Sequence, residues 1–99
     1  MVRIIWSAQA VDNLRNISEY ISKDSSHFAK VQVRKITQTT KTLKKLPYSG
    51  RIVPEINEQN VRELILGNYR IIYEILPVSN IITILTVHHS ARNFIPEDL

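Results

Sequence analysis

Two arginines sit among strand-forming residues in the run Val61-Arg62-Glu63-Leu64-Ile65-Leu66-Gly67-Asn68-Tyr69-Arg70-Ile71-Ile72-Tyr73-Glu74-Ile75, one on each side of Gly67-Asn68. A guanidinium carries a planar fork of N–H donors that matches carboxylate and phosphate oxygens, so the chemistry on offer is anion recognition. An arginine inside an apolar strand either lines a solvated face or projects into a groove where an anion docks. The plainer alternative is an ion pair from Arg70 to Glu63 or Glu74 across the strands, which at an exposed position contributes about 0–1 kcal/mol.

The turns set the register. A two-residue hairpin at Gly67-Asn68 pairs Leu66 with Tyr69, Ile65 with Arg70, Leu64 with Ile71, Glu63 with Ile72 and Arg62 with Tyr73, so the two arginines face opposite ways. A turn over Pro77 to Asn80 then sets Thr83 opposite Glu74, Leu85 opposite Ile72 and Val87 opposite Arg70. This puts His89 on the Arg70 face with Glu63, Glu74 and Thr83, and His88 on the Arg62 face. A one-residue slip exchanges the two histidines. Leu64, Leu66, Ile71, Ile75, Ile82 and Ile84 share the other, core-facing side.

Other chemistries find little support. His88 and His89 are strand neighbours that point apart, and His27 is remote, so no metal site and no cofactor are expected. Ser7 reads as a helix cap and not as part of a Ser-His-Asp set. Gly50 and Gly67 are the only glycines, too few for a phosphate loop. Trp6, Tyr69 and Tyr73 read as sheet-packing aromatics in preference to base-stacking platforms.

Several elements must position these residues. Arg3 to Trp6 reads as a first strand, followed by a helix with Ala10, Leu14, Ile17 and Ile21 on one face. Lys23-Asp24-Ser25-Ser26 supplies turn and capping chemistry before a second helix striped by Ala29, Val33, Ile36, Thr40 and Leu43. Its other face carries Lys30, Arg34, Lys41, Lys44 and Lys45, and Pro47 ends it, with Gly50 just beyond. From there the period changes to two, giving strands over 51–56, 61–66, 69–76 and 81–89. Residues 57–60 form a polar loop, and Ser90 to Leu99 is a tail that is mobile unless docked. The order β-α-α-β-β-β makes an α+β two-layer sandwich, a helical hairpin on one face of a mainly antiparallel sheet, with the opposite face left open.

Ninety-nine residues make one domain, 1–99, with one core. The chain has no cysteine, which excludes disulfides and thiolate metal sites and fits a reducing compartment. No apolar run is long enough for a signal sequence or a membrane span, so the expected location is the cytoplasm. The formal charge of +4 is uneven: residues 1–51 hold ten Lys/Arg against three Asp/Glu, and residues 52–99 hold three against six. A basic first half raises encounter rates with nucleic acid, the ribosome or an acidic protein, and is also what an ordinary solvated helix face looks like.

The segments Ala10…Leu14…Ile17…Tyr20-Ile21, Leu46-Pro47…Gly50-Arg51…Pro54-Glu55, Val61-Arg62-Glu63-Leu64, Tyr69-Arg70-Ile71-Ile72-Tyr73 and Val87-His88-His89…Arg92 resemble, in this order, the RelE/ParE superfamily of type II toxin–antitoxin toxins. The resemblance covers nearly the whole chain and implies the same β-α-α-β-β-β fold. It also implies a small growth-inhibiting protein neutralised by a cognate antitoxin whose extended C-terminal segment wraps it, with operator DNA reached only through the antitoxin and no membrane partner.

Two activities follow from the resemblance. RelE-like and YoeB-like members cut mRNA in the ribosomal A site without metal, and by similarity Glu55 is the base, Arg70 the phosphate-stabilising cation and His89 the acid. The His-Tyr ending of YoeB-like members is His89-Ser90 here, and no lysines stand between Arg51 and Arg62 to match those of RelE. ParE-like members resemble the chain in Leu-Pro-x-x-Gly-Arg-x-x-Pro-Glu and in His89-Ser90-Ala91-Arg92. They are not hydrolases but poisons that trap the cleaved DNA complex of DNA gyrase. Under that resemblance Arg51, Arg62, Tyr69, Arg92, Lys41, Lys44 and Lys45 serve target or antitoxin binding, and the tail from Arg92 matters more than His89. The ParE-like reading is preferred over the ribosome-dependent endoribonuclease, with a non-toxic basic binding module as the third alternative.

Overall fold

The computed structural model describes residues 2–90 and 94–99. Strand β1 (Arg3–Trp6) leads into helix α1 (Ala8–Ser22) and helix α2 (Ser26–Lys41), which tightens into a 3-10 turn at Thr42–Lys44. Strands β2 (Arg51–Ile52), β3 (Val61–Leu66), β4 (Tyr69–Leu76) and β5 (Ile81–His89) follow, and a second 3-10 turn spans Pro96–Asp98. The five strands form one sheet in the order β1-β5-β4-β3-β2, with β1 parallel to β5 and the rest antiparallel. The helical hairpin therefore carries the chain from one sheet edge to the other. The α+β sandwich read from the sequence is the observed architecture.

Both helices start on serine caps. The Ser7 hydroxyl oxygen accepts from the Ala10 N–H at 3.0 Å and its O–H donates to the Leu85 carbonyl at 2.9 Å, so one side chain starts α1 and pins it to β5. Ser25 caps α2 by accepting from the Phe28 N–H at 3.2 Å. Ala10, Ile36 and Leu43 pack on Ile71, Tyr73, Ile75, Ile82, Ile84 and Val87 in the main core between helices and sheet. The β3–β4 register is the one that Gly67-Asn68 dictates, from Leu66 opposite Tyr69 to Arg62 opposite Tyr73.

Three features depart from the sequence expectation. The strand over 51–56 stops at Ile52: Pro54 has no N–H to continue a ladder, and the Val53 carbonyl accepts from the Ile56 and Asn57 N–H groups, closing a turn in which Asn57 takes φ 57°. In the β4–β5 pair the register shifts between Ile72 and Tyr73, so Thr86 lies opposite Ile72 while Ile84 lies opposite Tyr73. The extra residue, Leu85, is a bulge that moves every later residue of β5 to the opposite face. The tail is docked at Phe94, which joins Val53, Val61, Ile72, Ile56 and Leu85 in a second, smaller core on the face away from the helices. That face is partly roofed, not open.

A buried tyrosine locks the approach to β2. The Tyr73 O–H donates to the Pro47 carbonyl at 2.9 Å and its oxygen accepts from the Gly50 N–H at 3.0 Å. Burial raises the phenol above its usual range, so it stays a neutral donor. Gly50 is required by close approach, since a Cβ there would lie 2.5 Å from the Glu63 carbonyl oxygen and 2.6 Å from the Tyr73 oxygen. Replacing Tyr73 by Phe strands two backbone groups away from water, and the expected loss is about 1–3 kcal/mol. Urea unfolding checks this; an unchanged midpoint would show that the hydroxyl ties nothing down.

Candidate functional site

Arg70 points away from the helices, and the turn that ends β2 brings a carboxylate to meet it. Glu63 in β3 is fully buried, and Arg51 sits directly opposite it in β2. The Glu63 carboxylate accepts from the Arg51 Nε on one oxygen and from the Arg70 Nε at 2.5 Å on the other. Because the chain turns back at Pro54, Glu55 lies over the end of the Arg70 guanidinium and accepts from its two terminal nitrogens, each at 2.9 Å. All three Arg70 nitrogens thus donate to carboxylates, and its side chain is only 13% exposed. The Phe94 ring covers the guanidinium, 4.9 Å from its carbon to the ring centre.

The electrostatics follow from this geometry. The hydrogen bonds from Arg70 hold the Glu55 carboxyl well below the ordinary carboxylate range, at about 2, against the opposing effect of burial. The same bonds push Arg70 further up, so the pair is ionised at neutral pH. A carboxylate that holds a proton so weakly is a poor general base.

The remaining sequence-chosen residues fall in different places. His89 is not on the Arg70 face. The Leu85 bulge turns it to the helix side, where its ring lies edge-on to Tyr69 at 5.3 Å. His88 is the residue opposite Arg70, with its ring 5.6 Å from Phe94. Glu55 and Arg70 are therefore brought together, and His89 is not. Arg62 is engaged internally: it donates to the carbonyls of Gln59, Tyr48 and Gly50 at 2.9, 3.2 and 3.0 Å and stacks on the Tyr48 ring. Arg51 is partly exposed beside Glu63, and Lys41, Lys44 and Lys45 are exposed at the end of α2 and just after it. Arg92 lies outside the described residues. Among the described residues no group of three His, Asp or Glu side chains could hold a metal ion.

A second feature escaped the sequence reading. Asn13, Ile17, Tyr20 and Ile21 of α1 face Tyr69, Val87 and His89 across a groove of about 350 Å³ at the open end of the helix–sheet junction. The Asn13 side-chain oxygen accepts from the Thr86 hydroxyl at 2.7 Å and the Val87 N–H at 3.1 Å, fixing the bulge that forms one wall. Tyr20 on the rim is 73% exposed. The only sequence signal for the groove is an aromatic next to the apolar stripe of α1.

The fold, a helical hairpin packed on a five-stranded sheet, is shared with known proteins. Residues 4–94 match the family of the ParE toxin of the type II toxin–antitoxin system parDE, and the chain belongs to that family. Among solved structures, it is similar to a chain of the chromosomal ParDE toxin–antitoxin system from P. aeruginosa, with a TM-score of 0.74 and 22% identity over 90% of this chain and 96% of that one. It is also similar to the isolated E. coli RelE toxin (TM-score 0.59, 12% identity, 94% and 88% covered). A third similar structure is the E. coli RelBE toxin–antitoxin complex (TM-score 0.53, 14% identity, 93% and 100% covered). No individually curated protein matches the sequence. The chain is thus a toxin of the RelE/ParE superfamily, ParE-like in kind. No helix among the described residues is long and apolar enough to cross a membrane.

The Glu55–Arg70 pair makes acid stability testable. Because folding lowers the Glu55 pKa from 4.5 to about 2, its contribution is complete above about 4.5 and is lost as the pH falls through 2. Glu55→Gln removes this titration. The urea midpoints of the two proteins are expected to differ most near neutral pH and to converge as the pH falls from about 4.5 to 2; a constant gap would separate Glu55 from the acid response.

Proposed function

We propose that this chain is the toxin of a type II toxin–antitoxin pair, that it acts on DNA gyrase by trapping the cleaved DNA complex, and that it works by recognition and not by hydrolysis. The observation that carries the reading is the closed state of Arg70. An endoribonuclease of the RelE or YoeB kind needs a cation turned towards the scissile phosphate, a base able to take the 2′-OH proton and an acid for the leaving oxygen on the same side. In this chain every Arg70 nitrogen faces a carboxylate, Glu55 has little affinity for a proton, and His89 lies across the sheet. Membership of the ParE family favours the same conclusion.

Recognition then falls to exposed side chains. The tail beyond the docked Phe94 exposes Ile95 and Leu99, and these apolar positions are the proposed contact with the target. The groove beside Tyr20 is the proposed seat of the cognate antitoxin, whose pairing with the toxin is inferred from the family and from the toxin–antitoxin complexes of similar fold. The cytoplasm is the corresponding site of action.

Arg70→Ala is a poor test, because it leaves the buried Glu63 carboxylate short of a partner and is expected to cost about 3–5 kcal/mol through the fold alone. Better variants are Glu55→Gln, His89→Ala and removal of residues 95–99, each checked for folding and expressed in cells without an antitoxin. The readouts are transcript 5′ ends and gyrase-linked double-strand breaks. Growth arrest with DNA breaks is expected to persist in the two substitutions and to disappear in the truncation. Codon-phased mRNA cuts without breaks, abolished by Glu55→Gln and His89→Ala, would establish the nuclease in its place. No arrest from the intact chain would leave the non-toxic binding module.

A further inference from the structure

We propose that the outer face of α2, continued through the 3-10 turn after it, is a docking ridge for the phosphate backbone of duplex DNA. From Ser25 to Pro54 the chain contains seven Lys/Arg and no Asp or Glu. Five of the cations form the ridge: Lys30, Arg34 and Lys41 fall within an arc of about 40° at α-helical spacing, and Lys44 and Lys45 follow in and just after the 3-10 turn. Ala29, Ile36, Thr40 and Leu43 are buried on the other side of the same segment, so packing of the core turns the five outward, and all are exposed. From Lys30 to Lys41 the row runs about 16 Å along the helix axis.

The ridge differs from the arginines that are paired within the fold, though not from Arg3, Lys23 and Lys35. Arg15 pairs with Asp12 at 3.2 Å, Arg51 with Glu63, and Arg70 with both Glu55 and Glu63, while Arg62 is occupied by backbone carbonyls. No described carboxylate lies within 4.0 Å of any of the five ridge cations. Five positive charges with no described carboxylate in reach are therefore displayed along this one face.

The composition selects the partner. The centres of protein–protein interfaces are poor in lysine and anchored by aromatic or arginine side chains, whereas this row is four lysines and one arginine with no aromatic among them. Single strands are held by stacking on aromatics, which the row lacks, while protein–DNA interfaces are strongly positive and polar. A straight, rigid line of cations suits the regular phosphates of a duplex. The choice of DNA over duplex RNA rests on the gyrase reading above; the phosphate-binding chemistry does not.

The test uses the purified toxin and a fluorescently labelled 20-base-pair DNA duplex of mixed sequence, followed by anisotropy between 50 and 200 mM KCl. Five phosphate contacts predict a slope of log affinity against log salt of about −4.5, falling to about −1.8 in a Lys41→Glu, Lys44→Glu, Lys45→Glu variant that retains the wild-type circular dichroism. Reversing Arg15, on the other helix, is expected to leave the slope unchanged. The proposal is overturned by a slope near zero, by a triple variant that binds like the wild type, by polyglutamate competing as well as unlabelled duplex, or by tighter binding to duplex RNA. Since gyrase is absent from the assay, DNA binding without gyrase-linked breaks in cells would sink the target assignment and leave the ridge standing.

Discussion

One carboxylate organises the sheet. Glu63 is sealed from water in β3, and an ion of this kind costs several kcal/mol to bury unless cations and hydrogen bonds meet it. The guanidinium of Arg51 from β2 and that of Arg70 from β4 do so, one on each oxygen, so the charge couples three consecutive strands. With Arg70 drawn to Glu63 by its Nε, the terminal nitrogens point outward, and the Pro54 turn supplies Glu55 to take them. Two acids and two arginines then form a neutral cluster. Removing one member leaves a partner buried and short of its counterion, which is why the set stands or falls together.

The two hydrophobic cores sit on opposite faces of the sheet. The main one joins the helical hairpin to the sheet, and Tyr73 reaches from it to hold the Pro47 and Gly50 backbone that leads into β2. The smaller one, with Val53, Ile72, Leu85 and Phe94, packs on the other face, where the Phe94 ring covers the Arg70 guanidinium and Glu55 stays partly exposed. Low local polarity strengthens the Arg70–Glu63 hydrogen bond and raises the cost of opening it. What remains accessible lies at the periphery: the groove beside α1, the apolar tail and the basic face of α2.

Much of this was legible in the sequence because it is local. Alternation and the Gly67-Asn68 turn fix β3, β4 and their register, and Ser7 and Ser25 mark the helix starts. The face assigned to Arg70, opposite the aliphatic core, follows from the same alternation. The two histidines were exchanged because the bulge at Leu85 has no local signature. It is held by Asn13, more than seventy residues away in sequence, which accepts from Thr86 and Val87. Pro54 did carry a signal, since a residue without an N–H cannot prolong a ladder, and that loss turns Glu55 onto Arg70. Phe94 is a single aromatic in an aperiodic tail, and nothing in its neighbourhood states what it covers.

A one-residue shift in β5 and one proline in the turn after β2 therefore decide what these residue types can do together in space. With the bulge at Leu85, His88 faces Arg70 and His89 faces α1; without it, the two would trade places. With the turn at Pro54, an anion approaching Arg70 must displace a bidentate carboxylate at 2.9 Å and move the Phe94 ring as well. An enzyme that stabilises a phosphorane-like charge needs its cation directed at the substrate before the substrate arrives. Here that direction is already taken by Glu55. On the proposed reading, the same fold has turned a possible catalytic arginine into a strut, and activity passes to surfaces whose side chains keep their charge and apolar area available to a macromolecule.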